Sequence, residues 1–239
     1  MKSVAIITAR GGSKRIPRKN IRNFLGQPII CYSIQAALDS GLFDEIMVST
    51  DDDEIAEIAL KAGAAVPFRR SGEASDDYAT TAQVLTEVLN EYEKNGKKFD
   101  LCCCIYPTAP FVSAQKLKKA LQLLTENNAD AVIPVVRYAT AIQRSLKMTD
   151  QHISFNWPEY ATTRSQDLPP AFYDCGQFYF FQIAAFRKNK RLFMPHTFGL
   201  EVSEMEVQDI DNLDDWKMAE FKYSYIHSHL EPTGLDEKI

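Results

Sequence analysis

A mostly parallel α/β sheet with helices on both faces is the fold this sequence predicts. Short apolar runs alternate with helical patterns from the start of the chain to about residue 135. The runs are apolar throughout, as strands buried on both sides require. Glycines at 41, 63 and 96 stand where three of the helices should stop. With 239 residues and no internal repeat, the chain suits one domain over 1–229 with an appended lobe, followed by a loose polar tail over 230–239.

Taken in order, the predicted strands are 4–8, 45–49, 101–105 and 131–135. The helical patterns between them cover 27–40, 53–62, 80–94 and 113–127. Asp52 or Asp53 can cap the second helix, Asp77 or Thr80 the third, and Ser113 the fourth. From 137 to 170 the periodicity fades around Trp157, Tyr160 and the pair Pro169-Pro170. This stretch reads as an excursion that covers a site or meets a second copy of the chain. Residues 174–181 return to strand-like alternation and 212–227 form a closing helix. In a sheet of this kind, ligands sit outside the carboxyl ends of the strands, so function is sought in the loops that follow them.

The formal charge of −5 argues against bulk binding to nucleic acid or to an anionic membrane. No apolar run approaches the roughly 20 residues that span a bilayer. The N-terminal MKSVAIITARGGSKR lacks an h-region with a cleavage site and reads as a first strand, so a cytoplasmic location is expected. Cys102, Cys103 and Cys104 are consecutive in a predicted strand, where neighbours face opposite sides and cannot share one metal. With Cys31 and Cys175 they read as core thiols.

The loop after the first strand concentrates positive charge. Six basic residues lie between Arg10 and Arg22, and no acid precedes Asp39. Gly11 and Gly12 would let the backbone adopt positive φ and approach a ligand. Backbone N–H groups over Ala9, Arg10, Gly11, Gly12, Ser13 and Lys14 can form an anion-binding concavity, with Arg10 and Lys14 adding full charges. A polyphosphate is the natural guest. Neither the Walker A pattern G-x-x-x-x-G-K-S/T nor the dinucleotide fingerprint G-x-G-x-x-G occurs, and G-x-S-x-G is absent as well. Later, Asp209-Ile210-Asp211 follows a partly alternating stretch over 202–207. On a strand, residues two apart face one side, so both carboxylates can meet one ion, and Mg²⁺ takes one or two carboxylates with phosphates and water. An N-cap for the helix beginning at Asn212 is the competing reading of the same acids.

The string Ala9-Arg10-Gly11-Gly12-Ser13-Lys14 with Lys19-Asn20 resembles the signature of the sugar-acid cytidylyltransferases, the CMP-sialic acid synthetases and their relatives. The resemblance continues in order through Ser49-Thr50-Asp51-Asp52, Pro67-Phe68-Arg69-Arg70, Tyr106-Pro107-Thr108-Ala109-Pro110 and Asp209-Ile210-Asp211, spanning about 1–220. It implies a Rossmann-like fold of the nucleotide-diphospho-sugar transferase type, a homodimer, and transfer of CMP from CTP to a nine-carbon acidic sugar with Mg²⁺. Under it, the first loop holds the CTP triphosphate, with Arg10 and Lys14 at the phosphates. Asp209 and Asp211 become the metal ligands, and Arg70 and Thr81 face cytosine and ribose. The acidic segment after the second strand lies near the nucleotide without holding metal.

Tyr106 departs from the family's L-Q-P-T-S-P stretch, where glutamine lies near the sugar. Gln143-Arg144, Arg164-Ser165-Gln166-Asp167-Leu168-Pro169 and Asp174-Cys175-Gly176-Gln177-Phe178-Tyr179 resemble the branch acting on pseudaminic acid. Tyr106, Arg144, Arg164 and Gln177 are therefore the expected sugar contacts, the arginines suiting a carboxylate. Competing expectations are an N-acetylneuraminic or legionaminic acid substrate, a glycosyltransferase consuming a nucleotide sugar, and a CTP-binding sensor without catalysis.

Overall fold

The computed structural model describes residues 1–76 and 78–228. The expected tail over 230–239 and the candidate cap Asp77 lie outside the described residues. The elements run β1 (Ser3–Thr8), β2 (Asn23–Phe24), β3 (Gln27–Pro28), α1 (Ile30–Ser40), β4 (Glu45–Ser49), α2 (Asp53–Lys61) and α3 (Gly72–Ser75). They continue with α4 (Thr81–Lys94), β5 (Leu101–Ile105), α5 (Ala114–Glu126), β6 (Ala131–Arg137), β7 (Leu146–Thr149) and β8 (His152–Phe155). Last come β9 (Phe172–Asp174), β10 (Phe178–Gln182), α6 (Ile183–Asn189), β11 (Thr197–Glu201) and α7 (Leu213–Ser228).

The main sheet has the order β11-β6-β10-β5-β1-β4. β1 pairs in parallel with β4 and β5, and β11 in parallel with β6, while β10 lies antiparallel between β5 and β6. The mostly parallel fold is thus as expected, with one reversed strand inside it. The alternation over 174–181 resolves into two strands: β9 pairs with Val135, Val136 and Arg137, and β10 pairs with Ala131 and Val132 of the same strand. Gly176, at φ 61°, turns the chain between them.

Each face of the sheet carries its own core. Ala5, Ile7, Cys103, Ile105 and Phe180 meet Ile30 and Ile34 of α1, Ile55 and Ala59 of α2, and Leu117 and Leu124 of α5. Val4, Ile6, Cys102, Cys104 and Phe181 meet Val84, Leu85 and Val88 of α4 and Phe186 of α6 on the other. The cysteine triplet therefore divides between the two cores as strand alternation requires.

Caps follow the side chains. Asp52 accepts from the Ile55 amide at 3.0 Å, Ser113 from Lys116 at 3.3 Å, and Thr80 with Gln83 completes a capping box. Gly41 ends α1 in the left-handed region. The first predicted helix starts three residues late, because Gln27 and Pro28 pair back onto Asn23 and Phe24. This small hairpin docks on α7: Phe24, Ile16, Ile29, Phe111, Ile210, Trp216 and Ala219 form a separate core. No helix among the described residues is long and apolar enough to cross a membrane.

Candidate active site

The carboxyl ends of β1, β4, β5, β6 and β11 share one edge with the start of antiparallel β10. Every site loop leaves from that edge. The basic loop after β1 is held to the loop after β4 at several points. The Ala9 amide donates to Ser49 O at 2.9 Å and the Gly11 amide to Asp51 Oδ1 at 2.9 Å. Arg18 grips Asp52 with both guanidinium ends and also reaches Glu54. That contact draws the Asp52 carboxyl down to about 2. Buried Asn20 closes the loop by donating to Arg10 O at 2.8 Å.

The glycines act differently from the expectation. Neither Gly11 nor Gly12 has positive φ; the left-handed residue of this loop is Arg18, at 55°. Gly11 is required by packing, since a Cβ there would lie 2.8 Å from Asp52 Oδ2. A Cβ at Gly12 would meet nothing within 4 Å. Gly12 instead opens onto a 490 Å³ cleft lined by Arg10, Ser13, Lys14, Ser75, Asp76 and Tyr78. Arg10 Nη1 also donates to Asp76 O at 3.1 Å, tying the cleft's two walls together.

The acids come from a loop, not from the strand expected over 202–207. β11 ends at Glu201, a single turn covers Glu204–Glu206, and 207–212 runs without sheet partners. Ile210 is buried in the small core with Ile16 of the basic loop and Trp216. Asp209 and Asp211, on either side of it, face outward. The capping alternative is resolved by Asn212, whose Oδ1 accepts from the amides of Asp214 and Asp215 at 2.8 and 3.0 Å. Asp215 in turn accepts from the amides of Asp211 and Asn212. Both Asp209 and Asp211 carboxylates are thereby left out of the cap.

Lys19 Nζ donates to Ile210 O at 2.7 Å. Burial lowers its pKa, while the nearby charges of Asp211 and Asp209 oppose that fall. Arg15 reaches Asp211 Oδ2 at 2.6 Å in an exposed pair, which is readily exchanged for another cation. The donor set fits a divalent cation that prefers oxygen: two outward carboxylates flank one buried anchor, and a lysine ammonium lies in the field of both. Among the described residues no three metal-ligating side chains cluster.

Arg70 and Thr81 lie on the floor of the edge. Arg70 is 8% exposed, and its Nε and Nη2 bond Ser49 Oγ at 3.0 Å and Ser49 O at 2.6 Å. Thr81 Oγ1 lies 3.1 Å from the Tyr106 hydroxyl. The Tyr106 and Tyr179 rings meet edge to face at 5.6 Å between centroids, and Tyr179 donates to Asp174 Oδ2 at 2.5 Å. Burial pushes both phenols up, so they stay neutral donors. This chain links the start of α4 to a 510 Å³ cleft lined by Asp174, Gly176, Gln208, Asp209 and Lys222.

Of the expected sugar contacts, Gln177 is placed beneath this cleft. It is 3% exposed and donates from Nε2 to Glu206 O at 2.6 Å. Arg144 and Arg164 remain on the excursion, where Arg144 faces Ser165 and Arg164 pairs with Asp167. They touch none of the loops at the sheet edge through these contacts.

Sequence reasoning names Asp174 and Tyr179 within a resembling string but gives them no role, and it passes over Lys116 and Lys222. Lys116 had a visible signal: it falls in phase with Ala120 and Leu124, so a lysine stands in the buried stripe of α5.

Residues 4–222 match the family model described as Cytidylyltransferase. The chain is 40% identical over 228 residues to the pseudaminic acid cytidylyltransferase of Campylobacter jejuni, covering 95% of this chain and 98% of that one. It is 33% identical over 220 residues to N-acylneuraminate cytidylyltransferase A of Danio rerio, covering 90% of this chain and 49% of the relative. A solved structure of CMP:2-keto-3-deoxy-manno-octonic acid synthetase complexed with CTP superposes with a TM-score of 0.70 at 15% identity, covering 96% of this chain and 100% of that one.

Proposed function

The chain belongs to the cytidylyltransferase family, and on that premise we propose that it transfers CMP from CTP to a nonulosonic acid, pseudaminic acid, releasing pyrophosphate. The observation that carries the chemistry is the shared small core under the basic loop and the acids. Ile16 and Ile210 are buried in one small core with Trp216, which ties the basic loop to the segment carrying Asp209 and Asp211. The choice of sugar rests on the 40% identity to the Campylobacter jejuni enzyme over nearly the whole of both chains.

In this reading Arg10, Ser13, Lys14 and the Gly12 backbone bind the triphosphate in the 490 Å³ cleft. Arg70 and Thr81 sit where cytosine and ribose are read. Asp209 and Asp211 would hold Mg²⁺. When bound, that ion supplies positive charge against the phosphate oxygens. Lys19, Arg10 and Lys14 compensate the charge of the departing pyrophosphate, and the anomeric oxygen of the sugar is aligned with the α-phosphorus. Tyr106 offers a neutral hydroxyl where the family pattern has an amide. Arg144 and Arg164, carried on the excursion, are the arginines offered to the sugar carboxylate, and Gln177 lies under the 510 Å³ cleft beside Asp209.

The protein works as a cytoplasmic homodimer joined through 137–170. Met148 and Ile153 support this, being a cross-strand pair at 74% and 65% exposure on the β7-β8 hairpin.

Pyrophosphate release with CTP and Mg²⁺ tests the proposal across pseudaminic, N-acetylneuraminic, legionaminic and 3-deoxy-manno-octulosonic acids. Turnover with pseudaminic acid alone is expected. Turnover with another acid overturns the sugar assignment, and CTP binding with no turnover favours a sensor. Asp209→Ala is expected to lower kcat by about 100-fold or more; near-normal turnover at ordinary Mg²⁺ overturns the metal assignment.

A further inference from the structure

The segment just before the acids is irregular, and its polar groups are satisfied by side chains from three different elements. Lys222 of α7 donates from Nζ to Val207 O at 2.7 Å and to Glu204 O at 3.2 Å. Gln177, next to β10, donates to Glu206 O at 2.6 Å. Lys116 of α5, only 8% exposed, reaches Glu206 Oε1 at 2.9 Å and also donates to Phe111 O at 2.9 Å. Phe111 belongs to the loop that follows β5, and Gln177 O accepts from the Tyr106 amide at 2.9 Å at the start of that loop. Residues 204–207 are therefore bracketed from both sides, two residues before Asp209.

A buried lysine is costly to retain unless its charge is paired and its donors are used. α5 could have filled this place with leucine. The ammonium instead joins two loops that have no backbone ladder between them. The acids themselves are anchored by buried Ile210, by Lys19 and by Asp215, and the irregular segment that leads into them is held by Lys222, Gln177 and Lys116.

We propose that Lys116, Lys222 and Gln177 are positioning residues that set Asp209 and Asp211 for divalent-metal binding. The inference rests on the reading of those two acids as metal ligands. None of the three touches the metal; they act through the backbone of 204–207 and the Glu206 carboxylate.

The test is Mn²⁺ binding in the presence of CTP, read from the free-ion electron paramagnetic resonance signal. It is accompanied by CTP binding in EDTA and by thermal melting. Lys222→Met, at the half-buried edge of the cleft, and Lys116→Met are each expected to weaken Mn²⁺ binding by about tenfold or more, as removing an outer-shell support does. CTP binding in EDTA, which depends on the basic loop, is expected to stay at the wild-type value. Lys222→Arg keeps donors within reach of both carbonyls and is expected to restore Mn²⁺ affinity, which a merely structural role would not predict once melting is matched. A folded Lys222→Met protein with wild-type Mn²⁺ affinity overturns the bracket, and this variant decides alone if Lys116→Met does not fold. Asp209→Asn separates the two levels. If it leaves Mn²⁺ affinity unchanged, the metal reading itself falls and the bracket with it; if it abolishes binding while Lys222→Met does not, only the bracket falls.

Discussion

Replacing Gly11 by alanine puts a carbon 2.8 Å from Asp52 Oδ2 and 3.0 Å from its Cβ. Asp52 cannot easily retreat, because it caps α2 through the Ile55 amide and holds Arg18 at both guanidinium ends. Either the cap and the pair loosen or the backbone shifts, and overpacking of this kind costs about 1–3 kcal/mol. For a chain of this size, 1 kcal/mol moves Tm by about 2–4 °C, so a fall of roughly 2–12 °C is expected. Gly12→Ala meets nothing within 4 Å and sits outside the left-handed region, so Tm should hold or rise slightly. Its methyl enters the cleft between Arg10, Ser13 and Lys14. Losing one charge-assisted phosphate contact there, about 1.5 kcal/mol or more, raises KM for CTP roughly tenfold. Melting scans and steady-state pyrophosphate release on the two variants separate the roles. The reasoning is refuted if Gly12→Ala melts as low as Gly11→Ala, or if it binds CTP with unchanged KM.

Two further outcomes follow from the protonation chemistry. Asp52 is drawn down to about 2 by Arg18, against about 3.9 in an unfolded chain, so its stabilisation is full above the unfolded value and drains as pH falls through about 2. Acid titration followed by Trp fluorescence should show Asp52→Asn with a shallower stability loss between about pH 4 and pH 2 than wild type; equal slopes would place the acid sensitivity elsewhere. The thiols of Cys102 and Cys103 are pushed well up by burial, and those of Cys104 and Cys175 to about 12. A native-state thiol titration should thus read at most the half-buried Cys31, with all five reacting in guanidinium; rapid labelling of a second thiol would contradict the core assignment.

The elements that sequence reasoning located well are those with a local cause. The run Leu101–Ile105 and the caps at Thr80 and Ser113 depend on neighbours within a few residues, and each stands at its expected place. The errors come from partners far along the chain. Positive φ is the local expectation for Gly11, yet its constraint is Asp52, 41 residues away. The alternation over 202–207 predicts a strand for the acids, whereas Lys116, Gln177 and Lys222 hold 204–207 in irregular form. Gln177 carries no local sign of burial, and only its place against Tyr106 and Glu206 puts it under the cleft.

The small core that joins Ile16 to Ile210 and Trp216 also orders events in time. Ile16 leaves the ribosome long before its packing partners are made. At translation speeds of about 5–20 residues per second, the roughly 200 intervening residues take about 10–40 s. Over that interval the nascent chain carries a basic loop matched by Asp51 and Asp52 but still without Asp209, Asp211 and the Trp216 ring. On the proposed site, competence arrives with α7 rather than accumulating as the sheet grows, and a ribosome stalled before Trp216 holds a chain with most of its strands and without this small core.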